Sequence, residues 1–448
     1  MSDVKVMNRW MVVLGAVLIQ LCLGAIYAWS VFTPILIKAP YSLSTTQTQW
    51  IFGVGLASFA VVMIIAGRMQ AKYPPRNVAA LGGIVLGLGY VAASFVGASF
   101  PGLLICIGLI GGAGIGLAYV VPIAVGVKWF PDRKGMLTGL AVAGFGFGAL
   151  VWVKLAGSWG HLLENFGIST VFLVYGIAFA AIVTVGSLWM VNPPSGYIPE
   201  GWKPPELSAD GKAAGSVDLD SGSMLRTPQF YALWVMFIAG ASAGLMVIGC
   251  IKLFGIDALR SSGMTEAEAS ATAGTAMAVF FALANGLGRI GWGILSDKLG
   301  RKLSLFLMLL FQGIVMLVFY QMGSSVALLY LGSAVIGFNF GGNFALFPAA
   351  TADLFGARNV GPNYGWVFTA YGVGGIVGPV LAGRFRAAAE GGDPSVWVTP
   401  FVIAGVACLV ACCLTLFLKT PQKVQSLLPK PHQTKLEARN PKRNTDDS

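Results

Sequence analysis

The chain has 448 residues, 56% of them hydrophobic and only 10% charged, with mean hydropathy +0.76 and a formal net charge of +11. Soluble domains carry about 25% charged residues, so an ordinary soluble protein is excluded. Two histidines, no clustered carboxylates and six scattered cysteines (Cys22, Cys106, Cys250, Cys408, Cys412 and Cys413) offer no zinc or redox spacing and no nucleophile–base set. No cofactor, metal or enzymatic activity is therefore expected.

Read with a window of about 19 residues, the sequence resolves into about twelve apolar stretches, each near the ~20 residues that cross ~30 Å of hydrocarbon. The first six run Trp10–Ile37, Gln47–Met69, Val78–Gly97, Gly102–Val127, Gly135–Trp159 and Ser169–Met190. A polar segment rich in proline, glycine and acid then breaks the pattern, and is read as a linker with a short surface helix at its end. Six more spans follow at Pro228–Phe254, Ser270–Leu295, Leu303–Met322, Val326–Pro348, Gly361–Phe385 and Val396–Leu418. The expected organisation is a six-helix half at 1–190, a linker at 191–227, a second half at 228–418 and a basic tail at 419–448. This is an all-α membrane protein with twelve transmembrane helices. Its sixty glycines allow the close helix contacts that membrane bundles use.

Cations collect in alternate loops and at both ends: Lys5 and Arg9; Arg68, Lys72 and Arg76; Lys128, Arg133 and Lys134; Lys203, Lys212 and Arg226; Lys298, Arg301 and Lys302; Arg358; and the tail. The other side shows only Lys38, Arg260, Arg384 and Arg386. Both termini are thus expected in the cytoplasm, in a multi-pass protein of the inner membrane. This asymmetry accounts for the net charge without nucleic-acid binding, although the tail can touch anionic lipid. No cleavable signal peptide is expected before the first span, whose apolar run is too long.

One charge stands out. Arg289 lies inside an otherwise uncharged span, where an arginine costs roughly 2.5–3.5 kcal/mol on insertion scales and nearly always faces a bundle interior or aqueous path. It is eight residues from Asp297, or about 12 Å along a helix, and its planar fork suits a carboxylate. A structural pairing with a neighbour is the alternative. Asn285, one turn earlier, either orients Arg289 or bonds substrate, or simply packs. Lys154 and Lys252 lie near the outer ends of their spans. There they either reach up to headgroups or form a positive funnel, with Lys252 nearer the site. The predicted spans contain no acidic residue; Asp257 is the nearest, just past the end of span 7.

The halves echo each other. Gly293-Ile-Leu-Ser-Asp297-Lys298-Leu-Gly300-Arg301-Lys302 follows span 8, and a degenerate copy from Gly67 to Arg76 follows span 2. Span 5 carries Gly144, Gly146 and Gly148, and span 11 carries Gly372, Gly374 and Gly375. Repeated six-helix halves with a midplane site mark transporters. The span-8 loop resembles the loop motif of the major facilitator superfamily, with Asp297 and Arg301 as a latch that gates one face.

A narrower resemblance, to the oxalate–formate antiporter family and its monocarboxylate-transporter relatives, covers nearly the whole chain. Its marks are Tyr27-Ala-Trp29-Ser30, Lys128-Trp-Phe-Pro-Asp-Arg-Lys-Gly135, Met224-Leu-Arg-Thr-Pro-Gln-Phe230, Gly288-Arg289, Phe338-Asn-Phe-Gly-Gly-Asn-Phe-Ala-Leu-Phe-Pro348 and Asn363-Tyr364-Gly365. The resemblance implies that Arg289 binds the anion. The expected lining is Tyr27, Tyr119 and Tyr371 as phenolic donors, with Phe338, Phe340, Phe344 and Asn343 as an apolar cage with one amide; plain packing is the alternative for each aromatic, and the resemblance favours Tyr119, Phe340 and Tyr371 as lining. Tyr371 departs from the family pattern, since dicarboxylate exchangers place a lysine there. A single deep arginine suits a single carboxylate.

The expected function is therefore secondary transport of small monocarboxylates (lactate, pyruvate or formate) by alternating access, coupled to a proton through the substrate or Asp257, in a monomer. An oxalate–formate type exchanger and a non-transporting carboxylate sensor are the alternatives. A multidrug carrier is disfavoured because the embedded charges are all positive.

Overall fold

The computed structural model describes residues 7–70, 72–130, 134–194, 197–199, 219–356, 359–387 and 393–418. Lys5, Asp132, Arg133, Lys203, Lys212, Arg358, most of the linker and the basic tail lie outside the described residues, as does the side chain of Lys134.

Twelve helices are long and apolar enough to span a bilayer. They are α1 (Trp10–Leu36), α2 (Thr45–Met69), α3 (Pro75–Ala93), α4 (Phe100–Gly126), α5 (Gly139–Ala156), α6 (Leu162–Ser187), α7 (Pro228–Ser261), α8 (Glu266–Leu299), α9 (Arg301–Met322), α10 (Val326–Phe355), α11 (Val360–Ala387) and α12 (Pro394–Phe417). No strand occurs among the described residues. Several helix starts follow from ordinary capping chemistry. Ser44 with Gln47 and Thr265 with Glu268 form capping boxes ahead of α2 and α8, and Thr227 caps α7, which begins at Pro228.

The internal repeat is visible in which helices touch. Within the first half α1 packs on α5, α2 on α4 and α3 on α6; in the second, α7 packs on α11, α8 on α10 and α9 on α12. Between halves, α2 meets α11 and α5 meets α8, so the whole pattern maps onto itself when shifted by six helices. Small residues make the two inter-half seams possible. A Cβ at Gly146 would sit 2.9 Å from Gly286, and one at Gly53 would sit 2.9 Å from the Gly375 carbonyl oxygen. Gly24, in a tighter 3-10 stretch of α1 (Gly24–Ala28), is pressed so closely onto the Phe145 carbonyl of α5 that no side chain fits there.

Several helices outrun their hydropathy. α7 continues to Ser261, α8 begins at Glu266 and α10 runs through Pro348 to Phe355, because a charged residue or a proline lowers the apolar average without ending the hydrogen-bonded spiral. The same extension carries the helix past the predicted end of span 7 to the nearest acid. Asp257 lies inside α7 with its side chain only 11% exposed. α6 starts at Leu162 and carries a break at Gly167, whose φ of 74° favours glycine.

The twelve spans alternate in direction, so residues 7 and 418 lie on one face, here the terminal face; Lys302 Nζ donates to the Leu416 carbonyl there at 2.7 Å. On this face Gly300 turns the chain between α8 and α9 at φ 82°, ψ 156°. Arg301 pairs with Asp297 at 2.8 Å and Asp353 at 3.1 Å, and also meets the Ser296 hydroxyl. The end of the linker is docked beside them: the Leu219 amide donates to Phe355 O, and its carbonyl accepts from Asn359 and Asn363. A single turn, Ser221–Met224, precedes α7, with Met224 buried rather than on the surface.

On the opposite face the halves are tied directly. Lys38 meets Glu266 at 2.8 Å, Arg260 adds to Glu266 at 3.6 Å, and beneath them buried Gln49 of α2 donates to the Gly249 carbonyl of α7 at 3.1 Å.

Candidate functional site

Arg289 occupies the middle of α8 and is fully buried. Its Nε donates to Asn285 Oδ1, one turn earlier, at 3.3 Å. Two rings lie against it: the guanidinium carbon is 3.9 Å from the centroid of Phe344 on α10 and 5.4 Å from that of Phe145 on α5. Nη1 and Nη2 are also buried and meet no hydrogen-bonding partner among the described residues. A cation so placed is stabilised by the ring quadrupoles, and its free edge presents two parallel donors to whatever anion the site accepts.

Four tyrosines surround that edge. Tyr27 of α1 and Tyr371 of α11, from opposite halves, share a hydrogen bond at 2.8 Å between hydroxyls. Tyr119 of α4 and Tyr364 of α11 are also buried, and the Tyr364 hydroxyl has no partner among the described residues. All four hydroxyls lie within electrostatic reach of Arg289, and those of Tyr27 and Tyr119 approach the guanidinium directly, although neither meets Nη1 or Nη2 at full hydrogen-bond geometry. Aromatic edges seal the chamber. Tyr119 packs on Phe59 and Phe145, Tyr27 on Phe145 and Phe340, and Tyr371 on Phe344 and Phe368, at centroid separations of 4.8–5.6 Å. Both halves therefore contribute walls to one site, as alternating access requires.

Of the residues singled out in the sequence, Arg289, Asn285, Tyr27, Tyr119, Phe340, Phe344 and Tyr371 are brought together here. Others are not. Asn343 donates to Phe340 O of its own helix at 3.0 Å, and its Oδ1 packs on Gly240 of α7, turned away from the guanidinium. Phe338 lies against Gly291 and Trp292 on another side of α8. Lys252 extends toward Gly274 near the start of α8, roughly 22 Å along the helix from Arg289, so it is not close to the site. Lys154 lies eight residues beyond Gly146 on α5, about 12 Å further toward the opposite face.

Asp257 is engaged at the far end of α7 by Arg386 of α11, at 2.7 and 3.1 Å, and by the Trp397 indole at 2.9 Å. All three belong to the second half. Asp297 and Arg301 likewise pair within that half on the terminal face, with the Asp297 side chain 57% exposed.

Phe145, Phe59, Phe368 and Gln20 were not picked out in the sequence. Gln20, fully buried on α1, donates to the Tyr119 carbonyl at 3.1 Å and fixes α4 at the level of the site. Phe145 stands between Gly144 and Gly146. These glycines let α5 approach α1 and α8, so the intervening ring is carried into the centre; that flanking is the signal in the sequence.

The fold and this site define a polytopic carrier of two six-helix halves around one buried cation. The profile of the Major Facilitator Superfamily matches residues 12–267 and 259–443, and the chain belongs to that superfamily. Among its relatives is the oxalate:formate antiporter of Oxalobacter formigenes, 28% identical over 92% of this chain and 91% of that protein. Another is monocarboxylate transporter 13 of Rattus norvegicus, 25% identical over 92% of each. The fold is also that of a crystallised bacterial homologue of the human lysosomal transporter Spinster. The TM-score is 0.66 at 17% identity, covering 91% of this chain and 96% of that one.

Proposed function

We propose that this protein carries small monocarboxylates across the inner membrane by alternating access, with Arg289 receiving the carboxylate on Nη1 and Nη2. One observation carries the reading: a fully buried guanidinium with Nε bonded, two aromatic rings against it, and Nη1 and Nη2 left without a hydrogen-bond partner among the described residues. Tyrosine hydroxyls beside that edge supply further hydrogen bonds, and the rings exclude water. The single central cation supports one carboxylate: a second would be left poorly compensated in a low-dielectric chamber. The names of the antiporter and monocarboxylate-transporter relatives agree with an anion of this class.

In this reading both termini face the cytoplasm, supported by the excess of Lys and Arg in the loops of the terminal face. Transport is net, with a proton accompanying the anion. The proton travels with the substrate carboxylate on Arg289 in this reading, since Asp257 is held at the far end of α7 by hydrogen bonds from Arg386 Nη2 and the Trp397 indole and by its ion pair with Arg386. Exchange of two anions is the second reading, favoured by the lack of any acidic partner of Arg289 among the described residues.

The test is uptake of radiolabelled lactate, pyruvate, formate, acetate and oxalate by purified protein in liposomes, with and without an inward proton gradient. A monocarboxylate is expected to accumulate faster with the gradient. No uptake of any of the five would leave the sensor alternative, and gradient-independent uptake only into preloaded vesicles would establish exchange.

A further inference from the structure

We propose that the two rings over Arg289, Phe344 and Phe145, allow the carrier to return without an anion, and so set this chain for net transport instead of obligate exchange. The proposal rests on the reading of Arg289 as the anion site.

Every alternating carrier passes through a state in which the site is shielded from both faces. With a carboxylate on Nη1 and Nη2, the guanidinium crosses that state compensated. Without one, the protein brings only neutral hydroxyls, those of Tyr27 and Tyr119, near the guanidinium, and neither meets those two nitrogens at full hydrogen-bond geometry among the described residues. A buried lone charge is strongly disfavoured, so an empty carrier would be held open and could move only when reloaded. What the protein does supply is the negative face of two rings, at 3.9 and 5.4 Å, an attraction that grows when water is excluded.

Their placement fits that role. Phe344 belongs to the same half as Arg289 and stays with it throughout. Phe145 belongs to the other half, across the α5–α8 seam, and joins it when the halves close at this level. Compensation is then greatest in the shielded state, where it is needed. The charge to be compensated is also minimal, since Tyr371, bonded to Tyr27, contributes none.

The experiment compares two rates in liposomes at equal pH on both sides, using labelled lactate, pyruvate and formate as separate probes. One rate is uptake into empty vesicles; the other is uptake into vesicles preloaded with the same unlabelled anion. Wild-type carrier is expected to show both. Phe344→Leu keeps apolar bulk but removes the π face, and should lower the ratio of net to exchange uptake roughly tenfold. Phe145→Leu should lower it in the same direction and gives an independent reading if the first variant does not fold. Phe344→Tyr, which keeps a ring, should restore the ratio. An unchanged ratio in the leucine variants, or equal loss of both rates, overturns the proposal. So does a wild type that exchanges without net uptake. A wild type that does neither with any probe refutes the carboxylate reading itself, which is a distinct result.

Discussion

Arg289 has two rings against it and its Nε bonded to Asn285, and its Nη1 and Nη2 are left without a hydrogen-bond partner among the described residues. It was conspicuous in the sequence because a charge in an apolar run has no bland explanation at that depth. Phe59 was not, because a phenylalanine in an apolar run gives no contrast, and Phe145 was marked only by the glycines on either side of it. Asn343 and Phe338 were misplaced for a related reason: helical periodicity shows which residues share a face, not whether that face meets α7 or α8. Tyr371 is the position at which the proposed substrate class can be tested. Replacing Tyr371 by lysine puts a second cation beside the first and breaks the hydroxyl bond to Tyr27. Tyr371→Lys is expected to shift competition for transport toward oxalate by roughly tenfold or more relative to lactate. An unchanged order of competition would show that position 371 does not face the substrate.

At the scale of elements, polar residues near helix ends serve anchoring within the second half. The Asp257–Arg386 pair joins α7 to α11, and Trp397 extends the tie to the start of α12. Asp257→Asn leaves Arg386, 22% exposed, without its charge partner. It should lower stability by about 2 kcal/mol, less than the ~3–5 of a fully buried pair because both groups retain some water. Thermal unfolding in detergent would register this as a melting point several degrees lower, with substrate affinity unchanged. The α8–α9 turn is held by Gly300, whose dihedrals are essentially restricted to glycine, and by Arg301 between Asp297 and Asp353. Asp297 lies about 12 Å from Arg289 along α8. Asp297→Asn should therefore slow transport severalfold while leaving equilibrium binding near wild type. Loss of binding with intact folding would place Asp297 in the site. These helix ends were the part of the fold least legible in the sequence, since a hydropathy window stops at the first charges while α7 and α10 do not.

For the molecule as a whole, the two-half plan was legible because the repeat is written twice: paired glycine runs in spans 5 and 11 become the close seams of α5 with α8 and of α11 with α2. The ties between halves were not, since Lys38 and Glu266 are 228 residues apart and look like ordinary solvated charges until the fold joins them. That pair, with Gln49 on the Gly249 carbonyl, closes the face opposite the termini. An exposed pair contributes only ~0–1 kcal/mol, so it marks a contact that opens in each cycle more than it locks one. Lys38→Cys combined with Glu266→Cys should cross-link under oxidation, stop transport and recover it on reduction. Full transport by the cross-linked carrier would mean that this face need not open.

The most direct test of the account is equilibrium competition on the purified carrier, with lactate, pyruvate, formate and oxalate measured side by side on wild type and Arg289→Lys. Lysine keeps the charge but loses the planar fork. At least one monocarboxylate is expected to bind wild type better than oxalate, and Arg289→Lys is expected to weaken it at least roughly tenfold with folding intact. Wild-type affinity in a folded Arg289→Lys carrier, or a preference for oxalate over every monocarboxylate, would contradict a single-carboxylate site built on this arginine.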